Sequence, residues 1–366
     1  MASDWPGGAS AFSRPPPTKG HDPHDSICCF KRFRPLERLI FMKPNGITRL
    51  QFILRGSGAP VNTLHFSCRE PGPPLLFSGS AKGAVHVWNL TTRRAERVLE
   101  GHEGASVIWL NTLHSRDTLI SQARNMKVCT WDLSEGRCKM TGSFLTGSVG
   151  FCQCSLLERD PGRWLLAHPG TDMEEVKLVD VPSGAAVCSL KPNTKRGMLM
   201  CVKLWQPDSG QDPLLLAGYE DGCVSLWDVS QRRVLCERAA HPEPVMCLDF
   251  DPARLRGVSG SSERAVSSWT LDGQQSLQLQ ESVQLVNPGV SQLRIREDRK
   301  ILASAGWDHR IRLFGWKRLK PLAVLQYHAD MVHCIAFSDH QDPRHRVMAA
   351  GSKDERISIW SVYNDG

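Results

Sequence analysis

The sequence predicts an all-β chain in which seven four-stranded sheets close into a ring. Three observations carry this reading. A strand-like run ending in Trp, or in a residue standing for it, recurs at near-constant spacing. Each recurrence sits in the same order of short apolar runs and turns. One apolar strand near the N-terminus has no sheet of its own.

The spacing is measured at the strand ends. "AGYEDGCVSLWDVS" (217–230) sets Asp221 in an Asp-Gly turn six residues before Trp227. "AAGSKDERISIWS" (349–361) sets Asp354 six before Trp360, and "SAGWDHRIRLFG" (304–315) sets Asp308 six before Phe314. Lys82, Asn125 and Glu263 hold the turn position ahead of Trp88, Trp131 and Trp269. A degenerate copy, "EEVKLVDV" (174–181), ends in Val179-Asp180. The strand ends at 88, 131, 179, 227, 269, 314 and 360 are separated by 42 to 48 residues. Self-similarity at this period, on strands ending in Trp-Asp, marks the blades of a propeller.

Within one unit the grammar is that of four strands. "SVIWL" (106–110), "TLISQ" (118–122), "KVCTW" (127–131) and "GRCKMTGS" (136–143) follow one another with turn residues between them. Short runs rich in Val, Ile, Leu and Trp between Gly, Asp and Asn read as strands and tight turns. Such a unit buries its faces only against neighbours, so the last must meet the first. The final unit ends after its third strand, at Trp360. "LQFILR" (50–55) is the orphan strand and is expected to supply the missing outer strand there. The unit at 145–190 is weak, and six or eight blades stay open on spacing alone.

With "GH" at 101–102 and "WD" at 131–132 and 227–228, the copies resemble WD40 repeats over about residues 50–362. The resemblance implies a seven-bladed propeller closed by an N-terminal strand. It also implies a brace within a blade, made by a His before the first strand, an acid in the turn and the strand-ending Trp. On this sequence the full set is His328, Asp354 and Trp360. His102 with Trp131 and His241 with Trp269 are partial, because Asn125 and Glu263 stand for the Asp. Asp221 with Trp227, and Asp308, keep the acid without the preceding Gly-His. A buried His needs partners for both ring nitrogens, which an acid and a hydroxyl or indole supply.

The domain reading has three parts. Residues 1–49 form a Pro- and Gly-rich basic tail, expected to be disordered. Residues 50–362 form the propeller, and 363–366 the C-terminal end. Within the tail, "CCFKRFRPLERLIFMK" (28–43) mixes basic and apolar residues and reads as a loosely packed segment or, more sharply, a docking or membrane-surface helix. Pro6, Pro15–Pro17, Pro23, Pro35 and Pro44 and the lack of heptads speak against the long helix with which G-protein β subunits hold a γ subunit.

Bulk properties narrow the function. The net charge is +7 at pH 7, with eight Lys/Arg against four Asp/Glu in residues 1–50. The ring is therefore nearly balanced, and no nucleic-acid partner is expected from charge. No run reaches the roughly 18 apolar residues of a membrane helix, and no secretory signal is legible. The 13 Cys lack metal-ligand spacing, so free thiols in cytoplasm or nucleus are expected. Cys152 and Cys154 read as two residues of one strand sharing a face. No phosphate-binding glycine motif is present, and no cofactor is expected.

His328, Asp354 and Ser352 look like a nucleophilic triad on paper, but the brace accounts for them better. The chain is therefore expected to be a non-catalytic protein-interaction scaffold. Resemblance to one subgroup of WD40 proteins implies a link to the co-chaperone machinery that matures phosphatidylinositol 3-kinase-related kinases. The alternative is a Gβ-like signalling component. In WD40 blades the residue before the turn acid points to the top face. Arg124, Glu220, Trp307 and Lys353 hold such positions, and Met331 lies in the loop before the last blade. Trp307, at a turn rather than in a core strand, is the expected centre of a partner-binding surface.

Overall fold

A computed structural model describes residues 48–363, apart from 69–71, 114–116, 135–137, 182 and 208–210. Of the tail expected over 1–49, residues 1–47 lie outside the described residues, and with them the segment 28–43 and the prolines that speak against a γ-binding helix. So do residues 364–366.

The ring has seven four-stranded antiparallel sheets. Six are contiguous in sequence, at 61–100, 107–145, 155–190, 199–239, 245–284 and 290–326. The seventh takes three strands from 332–362 and its outer strand from Thr48–Leu54. Leu50 pairs with Trp360 and Leu54 with Ile357. The closing strand thus begins two residues earlier than the sequence reading placed it, and Arg55 follows it. The weak unit at 145–190 folds as a regular four-stranded blade, which removes six and eight blades as alternatives. Its strand-ending Val179 is small, and Trp164 of the second strand brings a large ring to the same apolar cluster.

All seven strand-ending side chains are buried. They lie in third strands, where a blade is covered by a neighbour. The blades approach through a repeated contact. A Cβ on Gly79, Gly218, Gly260 or Gly351 would stand 2.5–2.8 Å from a methyl of Val107, Val245, Val290 or Val61, the first-strand Val of the following blade. Only Gly permits that approach. All four glycines lie within second strands rather than at turns. Gly83 and Gly222 do hold turns, with φ of +85° and +82°.

The first strands line the channel. In six blades the register slips by one residue at the start of this strand. The extra residue, at Asn62, Ile108, Met200, Met246, Ser291 and His333, is turned toward the lumen and only half-buried. A bulge re-aims a side chain in this way. Cys152 and Cys154 depart from expectation. They precede the strand Ser155–Asp160. Cys152 packs with Leu165 and Leu199 toward blade four, Cys154 with Trp109 and Trp164 toward blade two. Burial raises both thiols well above their ordinary range. They share no face, so the paired-ligand arrangement does not form.

Candidate functional site

The His328 brace forms with one added member. His328 Nδ1 lies 3.0 Å from Asp354 Oδ2, and Nε2 lies 2.8 Å from Ser358 Oγ. The Trp360 indole donates to the same hydroxyl at 2.8 Å. Trp360 therefore reaches His328 through Ser358, a residue the sequence reading did not name. Ser352 of the paper triad has no part in it; its hydroxyl donates to the Asp330 carbonyl and receives the Asp354 backbone N–H. Burial holds the His328 imidazole below its ordinary pKa despite the carboxylate.

The partial braces differ in how they are completed. In blade two, His102 Nε2 and the Trp131 indole meet at Ser121 Oγ, at 2.7 and 2.8 Å. Asn125 donates its side-chain amide to the His102 backbone carbonyl at 3.1 Å. Burial lowers the His102 pKa from 6.5 to about 4. In blade five, Glu263 reaches His241 Nδ1 at 3.0 Å and Ser259 meets Nε2 at 2.9 Å. Trp269 Nε1 is buried without a hydrogen-bond partner, so the expected His241–Trp269 connection is not made.

Asp221 and Asp308 are corrections to the brace reading. Asp221 is joined to Arg196 at 3.2 Å, and the same guanidinium pairs with Glu237. Trp227 is buried in the blade core, outside that network. Asp308 is bonded to Arg312 at 3.0 and 2.5 Å and receives Asn287 at 3.0 Å. Phe314 can donate nothing. The indole that does donate in blade six is Trp316, to buried Asp251 at 2.9 Å, tying blade six to blade five.

The top face is the one that carries the turns between second and third strands. There the channel, about 1130 Å³, opens between Arg124, Phe151, Trp307 and Met331. One side of the Trp307 ring lies against Gly289, where a Cβ would stand 2.2 Å from the indole. The Trp307 backbone N–H also donates to the Gly289 carbonyl at 3.1 Å. Trp307 is thus half-buried, held from below and open to the mouth. Arg124 is exposed and lies over the Phe151 ring at 4.4 Å. The structure brings Arg124, Trp307 and Met331 to one rim. Glu220 and Lys353 stand outside it. Glu220 receives the Met198 N–H at 2.9 Å, and Lys353 pairs with Asp330 at 3.5 Å. Phe151 was missed by sequence reasoning, because its loop carries no repeat signal.

Among the described residues, no three of His, Cys, Asp and Glu are grouped so as to hold a metal ion. No helix there is long and apolar enough to cross a membrane.

Fold and repeats together define a WD40 β-propeller. A family model described as WD domain, G-beta repeat matches residues 185–228 and 319–361. The chain is 51 % identical over 317 residues to guanine nucleotide-binding protein subunit beta-like protein 1 of Mus musculus, which covers 86 % of this chain and 96 % of that one. It belongs to that family. It is also 26 % identical over 429 aligned positions to ASTRA-associated protein 1 of Penicillium rubens, covering 85 % of this chain and 97 % of that one. The ASTRA-associated protein 1 of Schizosaccharomyces japonicus is 27 % identical over 373 positions, covering 85 % and 98 %.

Proposed function

We propose that this chain is a non-catalytic adaptor that docks proteins on the top face of its propeller. The observation that carries the reading is where the catalytic-looking groups end. The Asp354–His328–Ser358 chain terminates on the Trp360 indole inside blade seven. A hydroxyl fully buried and already receiving an indole N–H offers no path to a substrate. What remains is a rigid ring that positions loop side chains, a common basis for recognition.

The relatives named for association with ASTRA support an adaptor within a multiprotein assembly. With the family resemblance, this favours a role in co-chaperone-assisted maturation of phosphatidylinositol 3-kinase-related kinases, in the cytoplasm and extending to the nucleus. Trp307 is the proposed centre of contact, with Arg124 and Met331 on the same rim and Glu220 and Lys353 farther out. A rigid aromatic on a supported ring contributes contact area at little entropic cost.

The test is affinity purification of tagged wild type and Trp307→Ala, with quantitative mass spectrometry. The variant should melt like wild type and lose at least one co-purifying protein. A folded variant that retains them all at wild-type levels rejects the Trp307-centred surface.

A further inference from the structure

Four of the ten large apolar side chains exposed among the described residues lie together in sequence around the junction of blades two and three. Leu145, Val149, Phe151 and Met173 are between 51 and 70 % exposed. Leu145 ends the outer strand of blade two. Val149 and Phe151 sit in the loop that crosses to blade three, and Met173 sits in that blade's turn between second and third strands.

This loop is fixed in place. Thr146 donates its backbone N–H to Met126 at 2.7 Å, and Gly147 donates to Pro169 at 3.4 Å. A Cβ on Gly147 would stand 2.3 Å from Thr171 N, so the loop lies directly on the turn that carries Met173. The far end is tied down too, because Leu199 donates to the Met173 carbonyl at 2.8 Å. The side chains stay exposed on a supported backbone. Exposed apolar groups gathered in this way mark interaction sites.

The charges along the strip name the occupant. Met173 is flanked by acids that are already engaged. Asp172 pairs with Lys191 at 2.8 Å. Glu174 receives the Arg196 and Gly197 N–H groups at 3.1 Å. Glu175 receives Thr171 N–H at 2.8 Å. At the other end, Arg124 lies on the Phe151 ring and has no carboxylate at ion-pair distance among the described residues. A second copy of this strip would bring no uncommitted acid to it. An anionic membrane would meet the acids beside Met173.

We propose that the strip from Arg124 and Phe151 through Val149 to Met173 is a docking surface for a partner-protein segment. That segment carries large apolar side chains and, at the Phe151 end, a carboxylate that pairs with Arg124. The proposal rests on the reading of the top face as a protein-docking face; it shares the rim residue Arg124 with the Trp307 surface but runs from there toward blade three rather than across the mouth to Trp307. Burying the strip supplies the apolar contribution. The Arg–carboxylate pair sets direction and register.

The experiment selects peptides from a random 12-residue phage library against the purified full chain. Affinities of the enriched peptides are then measured for wild type, Phe151→Ser, Met173→Ser, Arg124→Glu and Trp307→Ala. Enriched peptides should combine Asp or Glu with large apolar residues. Phe151→Ser and Met173→Ser should each weaken binding at least tenfold with unchanged melting temperature. Arg124→Glu should weaken the acidic peptide and restore binding of its Lys-substituted form. Trp307→Ala should leave peptide binding unchanged, so failure of the Trp307 surface reads separately. If a Ser variant melts lower, Val149→Ser takes its place. Absence of enriched peptides, equal binding by the strip variants, or no recovery on charge reversal overturns the proposal. Flotation with phosphatidylserine vesicles that is lost in Phe151→Ser would assign a membrane instead and also overturn it.

Discussion

Asp308 and Arg312 form a buried ion pair in blade six, at the positions that Asp354 and Ser358 hold in blade seven. Two blades thus use the same turn acid for different partners. In blade seven it supports a neutral His; in blade six it neutralises a guanidinium.

That difference predicts unequal costs. Asp308→Ala leaves a buried guanidinium unpaired and should cost about 3–5 kcal/mol. The double variant Asp308→Ala/Arg312→Met removes both charges and should recover much of the loss. Chemical denaturation of the three proteins checks this. A double variant as unstable as the single would contradict it.

Asp354→Ala should cost less, about 1–3 kcal/mol, because it strands a neutral buried ring nitrogen. The melting temperature should fall. An unchanged melting temperature together with loss of a hydrolytic activity would revive the nucleophilic reading of His328.

The buried imidazoles predict acid sensitivity. His102 is lowered from 6.5 to about 4 by burial, and burial also lowers His241 and His328. The unfolded chain therefore takes up protons before the folded one does. Stability is full above about pH 6.5 and is lost as pH falls toward 4. His102→Asn should lower stability at neutral pH and flatten this decline. Denaturation midpoints across pH 4–7 measure it; parallel slopes for the two proteins would sink the assignment.

Closure by Thr48–Leu54 predicts that removing residues 1–56 destabilises the ring far more than removing 1–45. The longer deletion exposes the edge of Ile357–Val362 and leaves its backbone groups unpaired. Equal melting temperatures would contradict this pairing.

The ring was legible because its rule is periodic. Six of the seven strand ends carry a large buried aromatic ring, and Leu50–Arg55 was the strand left over. The braces were legible only where the family pattern was kept. Arg196 could not be read as the partner of Asp221, because it lies on a loop at no position of the family's brace pattern. Ser121 and Ser358 do the same task from different strands, so no fixed spacing reveals the hydroxyl. The top face was read from turn positions, which found Arg124 and Trp307. Phe151 and Met173 were missed, since exposure of an apolar side chain in an irregular loop depends on which backbone contacts hold that loop.

The adaptor role is tested most directly by the kinases it is proposed to serve. Acute depletion of this protein, followed by re-expression, would be read by immunoblot and transcript levels of phosphatidylinositol 3-kinase-related kinases. The account predicts that kinase protein falls while transcripts hold. Wild type should restore the kinases, and folded Trp307→Ala should not. Kinase levels that stay constant through depletion would contradict the account.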